Sequence, residues 1–297
     1  MRVILTTVVV CLCFLFLTTT THAQLARTYV SHLGNNANPC TRTSPCRQIN
    51  RGIDAVQPGG EVVVLDTANY QGFTVNKAVS ITASPDASPA ITVVSGNTAI
   101  VIDAGSSDVV SIRGITVNGL RGTQDPSFGT DIESAKAVHF EGCTFLNLGI
   151  GVTAGGVPVS IKNTTFRGNG SGIQVVNTRA LMEDCRFENN GTGLFVGQGG
   201  RVTAIDCVAF GNWRGFYAGT VREVTDLNLE RCNATNNETG IHADAGVVIR
   251  VANSTITNNT VGLAALGNGQ ILSRTPATNT VVGNGSGEIF TGLFPAK

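Results

Sequence analysis

The stretch CRFENNGTGLFVGQGGRVTAIDCVAFGNWRGFYA (residues 185–218) holds the same pattern twice. Cys185, Asn190 and Gly193 recur 22 residues later as Cys207, Asn212 and Gly215. Working outward, the Asn-x-x-Gly step returns at Asn169/Gly172, Asn237/Gly240, Asn259/Gly262 and Asn284/Gly287. The successive Asn lie 21, 22, 25, 22 and 25 residues apart. Five residues before each Asn lie Thr164, Cys185, Cys207, Cys232, Ser254 and Asn279, and Cys143 and Ile115 extend that column toward the N-terminus. A fixed period of this length marks a solenoid of stacked supersecondary units.

Each unit reads alike. Two apolar residues in alternation open it, as in Val138/Phe140, Val159/Ile161 and Val202/Ala204. A two-residue polar step follows, ending on Gly114, Gly142, Asn163, Asp184, Asp206, Arg231 or Asn253. All but Arg231 are types that tolerate a left-handed backbone, which predicts a tight bend. A second strand points the small residue inward and then Phe145, Phe166, Phe187, Ala209, Ala234 or Ile256. After the Asn-x-x-Gly turn, a third strand faces in with pairs such as Leu194/Val196, Phe216/Ala218 and Ile241/Ala243. Three short strands and three turns per period predict an all-β, triangular parallel β-helix in which like residues stack on like. The Cys and Asn columns are then expected to be core thiols and a satisfied turn ladder, because thiols in single file do not converge on a metal.

Composition agrees. Only 13% of residues are charged, 36 are Gly, and Lys+Arg and Asp+Glu balance at 20 each, so no basic field exists to attract nucleic acid. Arg2, the apolar run Val3–Leu17 and Thr21-His22-Ala23 read as a signal peptide over residues 1–23, shorter than a membrane span. The expectation is a secreted or periplasmic protein with no membrane span after cleavage. The remaining chain divides into a cap over 24–57, a β-helix over 58–290 and a tail over 291–297. Cys40 and Cys46 in NPCTRTSPC are expected to form a small disulfide. Ile49, Ile53 and Val56 have the spacing of a short capping helix, stopped by Pro58-Gly59-Gly60.

The run TYVSHLGNNANPCTRTSPCRQINRGIDAVQPGGEVVVLDTANYQGFTVNKAVSITA (28–83) resembles the N-terminal segment of secreted bacterial right-handed β-helix proteins of the pectin-lyase-like superfamily. It departs from their pattern at Gly60, where Asp is usual. The resemblance implies the right-handed parallel β-helix and a capping helix. It leaves function open, since the superfamily includes polysaccharide lyases, hydrolases, epimerases, adhesins and members without known activity. It also implies that a carbohydrate site would lie on the outer face of the strand after the Asn-x-x-Gly turn.

On that face one side chain per unit points out, namely Asp131, Thr153, Gln174, Phe195, Tyr217, His242 and Ala264, with Asp103 expected one rung before Asp131. Two clusters emerge. Phe195, Tyr217 and His242 lie on consecutive rungs, with Phe210, Trp213 and Arg214 on the adjoining turn. Aromatic rings suit the apolar faces of sugars, so these residues are the expected ligand site. Asp103 and Asp131 neighbour the long insertion Asn118–Phe128, which carries Arg121 and Asp125. Those four are the catalytic candidates for a lyase or hydrolase acting on a uronate polymer, and Ca²⁺ is the one ion they would take. No other cofactor or metal is expected. The leading reading is a glycan-binding or structural protein at the cell surface or in the periplasm, with polysaccharide as its partner. The alternatives are the lyase or hydrolase and a purely structural or adhesive β-helix.

Overall fold

The computed structural model describes residues 25–120, 127–219, 223–275 and 278–295. The segment assigned to the signal peptide, and Arg121 and Asp125, lie outside the described residues.

The chain winds through three parallel sheets of 12, 10 and 9 strands, making a β-solenoid of about 10 turns with 3% helix. One coil shows the scheme. Ala137–Glu141 lies in the first sheet, Thr144–Leu146 in the short-stranded second and Ile150–Gly155 in the third, after which Val159–Lys162 returns to the first. Stacking is in register: Val138 pairs with Val159, Phe145 with Phe166 and Val152 with Ile173. This all-β parallel helix is the architecture that the 22-residue period requires.

The bends lie where the residue types demand. Gly114, Gly142, Asn163, Asp184, Asp206, Arg231 and Asn253 all have φ between 47° and 70°. Arg231, the one unfavourable type, ties its guanidinium to Asp206 by two bonds of 2.8 and 2.9 Å, which offset part of the cost of its backbone. A second left-handed column, which the repeat analysis did not single out, immediately precedes the Asn ladder at Asn147, Gly168, Asn189, Gly211, Asn236, Asn258 and Gly283.

The Asn ladder is satisfied throughout. Asn190 Nδ2 donates to Phe166 O at 3.0 Å and to Asn212 Oδ1 at 2.9 Å, while Asn190 Oδ1 accepts from Asn169. The glycine three residues on is required by close approach. A Cβ at Gly172 would lie 2.4 Å from Gly193 O, and one at Gly193 would lie 2.6 Å from Gly215 O.

Inside, Phe145, Phe166 and Phe187 stack with centroids 5.3 Å apart and planes 9° from parallel. Above them the second sheet offers only Ala209 and Ala234. Phe216 from the third sheet fills that space, edge-on to Phe187 at 6.2 Å. Each such ring, fully buried, contributes roughly 1.5–3 kcal/mol. Cys143, Cys185, Cys207 and Cys232 are free and buried, as expected of core thiols. Burial raises the Cys143 pKa to about 11; hydrogen bonding to Cys207, and then burial, raises those of Cys185 and Cys232, whereas the bonds from Cys185 and Cys232 lower that of Cys207.

At the N-terminal end, helix α1 (Ile49–Ala55) covers the first coil with Ile49, Gly52 and Ile53 buried. Leu25–Val30 forms the outermost strand of the first sheet. Cys40 and Cys46 are disulfide-bonded, with Cα atoms 4.6 Å apart. The departure at Gly60 has a local reason: a Cβ there would meet Ala26 O and Val56 Cγ2, each at 2.6 Å. At the other end Gly292–Leu293 pairs with Leu272 and Ser273 in the same sheet. Among the described residues no helix is long and apolar enough to cross a membrane.

Candidate functional site

The third sheet aligns its outward residues in one column. Asp131 pairs with Thr153, Thr153 with Gln174, Gln174 with Phe195, Phe195 with Tyr217, Tyr217 with His242 and His242 with Ala264. Alternation forces this, because Leu194/Val196, Phe216/Ala218 and Ile241/Ala243 are buried on either side of it.

Asp103 is not in that column. Val101 stands opposite Asp131, since Ile100 and Ile102 face the core, and the register slips between Ile132 and Ser134 so that Asp103 pairs with Ser134. The two carboxylates are therefore offset by two strand positions, roughly 6–7 Å along the strand, as well as by one rung. Among the described residues no group of three or more His, Cys, Asp or Glu is placed to hold a metal ion.

The aromatic cluster does assemble. Phe195 and Tyr217 have centroids 5.0 Å apart at 43°, and Tyr217 meets His242 edge-on at 5.0 Å. Arg214, the first residue of the strand Arg214–Ala218, lays its guanidinium carbon 4.3 Å from the Trp213 ring centre and 4.7 Å from that of Tyr217. Trp213, in the turn, is the open ring at 58% exposure, and Phe210 ends the preceding second-sheet strand, also exposed. The strip is less open than its outward direction suggests. Phe195 and Tyr217 are half-buried, and only 8% of His242 is exposed.

Burial of His242 has a partner that the sequence did not signal. Asp244 accepts a hydrogen bond from Tyr217 Oη at 2.6 Å and lies 3.1 Å from His242 Nε2, which as donor carries the ring proton. Burial, and then the bond to Asp244, raises the Tyr217 pKa to about 12. Burial and the charge of Arg214 lower that of His242, so the ring is neutral at pH 7 despite Asp244.

Asp244 is the first residue past the strand Thr239–Ala243, and Gly219 and Gly197 are the first residues past the strands of the two rungs below, Arg214–Ala218 and Thr192–Val196. Their missing side chains open a cavity of about 290 Å³ lined by Val176, Phe195, Gly197, Gln198, Tyr217, Gly219 and Asp244. A Cβ at Gly219 would meet both Asp244 Oδ2 and Tyr217 Oη at 2.8 Å. The only signal in the sequence was the Gly-Gly-Asp succession along one column, outside the repeat positions that align.

A parallel coil with a partly buried aromatic strip on its outer face and a small cleft beside it is the class of protein that these features define. The chain belongs to the right-handed β-helix family, whose model, described as right handed beta helix region, matches residues 129–285. No curated protein matches the sequence. Among solved structures, the chain is similar to a rhamnogalacturonan lyase, at TM-score 0.54 and 13% identity over 86% of each chain. It is also similar to XylC, solved in complex with xylose, at TM-score 0.56 and 8% identity over 83% of this chain and 71% of that one. The A-module of an Azotobacter vinelandii mannuronan C-5 epimerase matches at TM-score 0.47 and 13% identity, over 80% of this chain and 91% of that one. At these identities the likeness concerns the fold.

Proposed function

We propose that the protein binds glycan on the third sheet through Phe195, Tyr217 and His242, bounded by Trp213, Arg214 and Asp244. In this reading it acts as an exported β-helix at the cell surface or in the periplasm. The observation that carries the reading is the run of three rings on consecutive rungs, stepping 5.0 Å each time, beside the cleft over Gly197 and Gly219. Sugar rings have apolar C–H faces that pack on aromatic side chains, while their hydroxyls find Asp244 and Gln198 at the rim of the cleft. The cleft is large enough for one monosaccharide. Two structural neighbours carry names of carbohydrate ligands or substrates, which fits a carbohydrate-related role.

The lyase reading through Asp103 and Asp131 has weaker support, because the two carboxylates are out of register.

A glycan array followed by calorimetry tests the proposal, with an absorbance assay at ~235 nm for unsaturated uronate ends. Binding that is lost in Trp213→Ala/Tyr217→Ala supports it. New unsaturated ends would move the assignment to a lyase, and an array with no hits would leave the purely structural reading.

A further inference from the structure

Cys185, Cys207 and Cys232 stand on three consecutive rungs, free and buried. Each thiol sits in the same way. Its sulfur contacts the carbonyl two residues back, Glu183 O, Ile205 O or Glu230 O, at 3.3, 3.3 and 3.5 Å. It also contacts a carbonyl of the rung below, Ile161 O, Met182 O or Ala204 O, at 3.5, 3.8 and 3.3 Å. Those three carbonyl residues are themselves stacked partners. The side chains are therefore copies of one another displaced by one rung, roughly 4.8 Å. Cys143 repeats the pattern with Glu141 O and Ile112 O, but Thr164 takes the rung between it and Cys185.

This geometry selects the chemistry. A disulfide needs sulfurs about 2.05 Å apart and a dihedral angle near a right angle, and parallel side chains one rung apart offer neither. A column of thiols also cannot surround an ion with three or four ligands, which agrees with the lack of any such group among the described residues. A linear sulfur–metal–sulfur unit asks for less. Two metal–thiolate bonds of about 2.3 Å span about 4.6 Å, close to one rung. Side chains that stand at roughly a right angle to the stacking axis point their sulfur lone pairs along it. The thiols give up only weak S–H contacts to carbonyls on binding. Cys207 is the sulfur best prepared to become a thiolate, because hydrogen bonds from Cys185 and Cys232 lower its pKa against the cost of burial.

We infer that this column is a site for one soft, two-coordinate metal ion of the cuprous, silver or mercuric kind, held between Cys207 and either Cys185 or Cys232. Soft thiolate ligands favour such ions over hard ones. Each thiol that binds as thiolate releases its proton to solvent. A mercuric ion on two thiolates is then neutral, which an apolar interior tolerates better than the anionic pair that a silver ion would leave. The site is separate from the aromatic strip and does not depend on glycan binding.

The test uses the full chain carrying Cys11→Ser and Cys13→Ser, which leaves the Cys40–Cys46 bond and four thiols. Silver or mercuric ion is supplied in chloride-free buffer, once to the folded protein and once during refolding from urea without reductant. Native mass spectrometry counts the ions retained. One ion per chain is expected in at least one of the two samples, while zinc, which wants four ligands, is not retained. Cys207→Ser removes the sulfur common to both pairs and should lower affinity more than roughly a hundredfold, beyond what the loss of an outer partner costs. Cys185→Ser and Cys232→Ser each leave one pair and should keep the ion, and Cys143→Ser should change nothing. Serine suits the column, since Thr164 and Ser254 already donate to the carbonyl two residues back at 2.9 and 2.8 Å, and melting temperatures check each variant. No retained ion in either sample overturns the inference. So does an ion that survives Cys207→Ser, a loss in Cys143→Ser, a complete loss in both end variants, or zinc held as tightly.

Discussion

The Asp244 carboxylate joins two neighbouring rungs, accepting from Tyr217 Oη at 2.6 Å and facing His242 Nε2 at 3.1 Å. This bridge holds the phenol and the imidazole edge to face and shapes one wall of the cleft over Gly197 and Gly219. Asp244→Ala should free both rings, and glycan affinity is expected to fall roughly tenfold, the effect of one hydrogen bond to a charged group. The carboxylate is partly solvent-exposed, so the melting temperature should move by only a few degrees. Affinity unchanged in calorimetry would remove Asp244 from the site.

Trp213 separates binding from stability more cleanly than Tyr217. At 58% exposure its ring contributes little to the core, whereas Tyr217 packs between Phe195 and His242. Trp213→Ala is expected to weaken glycan binding several-fold with a nearly unchanged urea midpoint. Tyr217→Ala should cost both binding and about 1–3 kcal/mol of stability. A large stability loss in Trp213→Ala would make that ring structural cover.

Acid should weaken the protein at this site. Arg214, Asp244 and Tyr217 face His242, and burial together with Arg214 holds its pKa below the ordinary 6.5. The unfolded chain therefore takes up a proton at His242 before the folded chain does. Stability contributed here is complete above pH 6.5 and declines as pH falls from 6.5 toward the depressed folded value. Melting temperature followed from about pH 8 to pH 5 should show this loss. His242→Asn should flatten that part of the profile, and an identical profile in the variant would refute the assignment.

The thiol column offers a chemical test of register. A chain beginning at Gln24 has six cysteines, two of them in the disulfide Cys40–Cys46 and the others free and buried. Alkylation of the native protein should label none of the four free thiols, and alkylation in denaturant without reductant should label all four. In-register side chains in a parallel stack point the same way rather than toward each other. Fewer labels in denaturant would mean cross-links between rungs.

Gly193 tests the stacking itself. Its Cβ would sit 2.6 Å from Gly215 O and 2.8 Å from Phe187 Cβ, so Gly193→Ala must push two coils apart. A loss of about 2–3 kcal/mol is expected in urea unfolding. Asn190→Ala should cost a similar ~1–3 kcal/mol by stranding its ladder neighbours. Tolerance of both substitutions would contradict the register.

Much of the fold was determined by the sequence alone. In a solenoid, residues one period apart become vertical neighbours, so a spacing in the chain is already a contact in space. That is why the Asn ladder, the Phe stack, the buried thiols, the bends at Asn163 or Asp206 and the outward row Phe195, Tyr217 and His242 could all be read in advance. Tertiary structure decided whatever depends on local departures from the period. With Ile100 and Ile102 facing the core, Val101 and not Asp103 stands opposite Asp131. The turn between the third and first sheets varies in length and carries no repeating residue, so Gly197, Gly219 and Asp244 showed no periodicity, yet they form the cleft and bury His242. The direction of a side chain follows from strand alternation. Its exposure, its hydrogen-bond partner and its charge state follow from which unlike residues the coils bring beside it, and the repeat does not encode that.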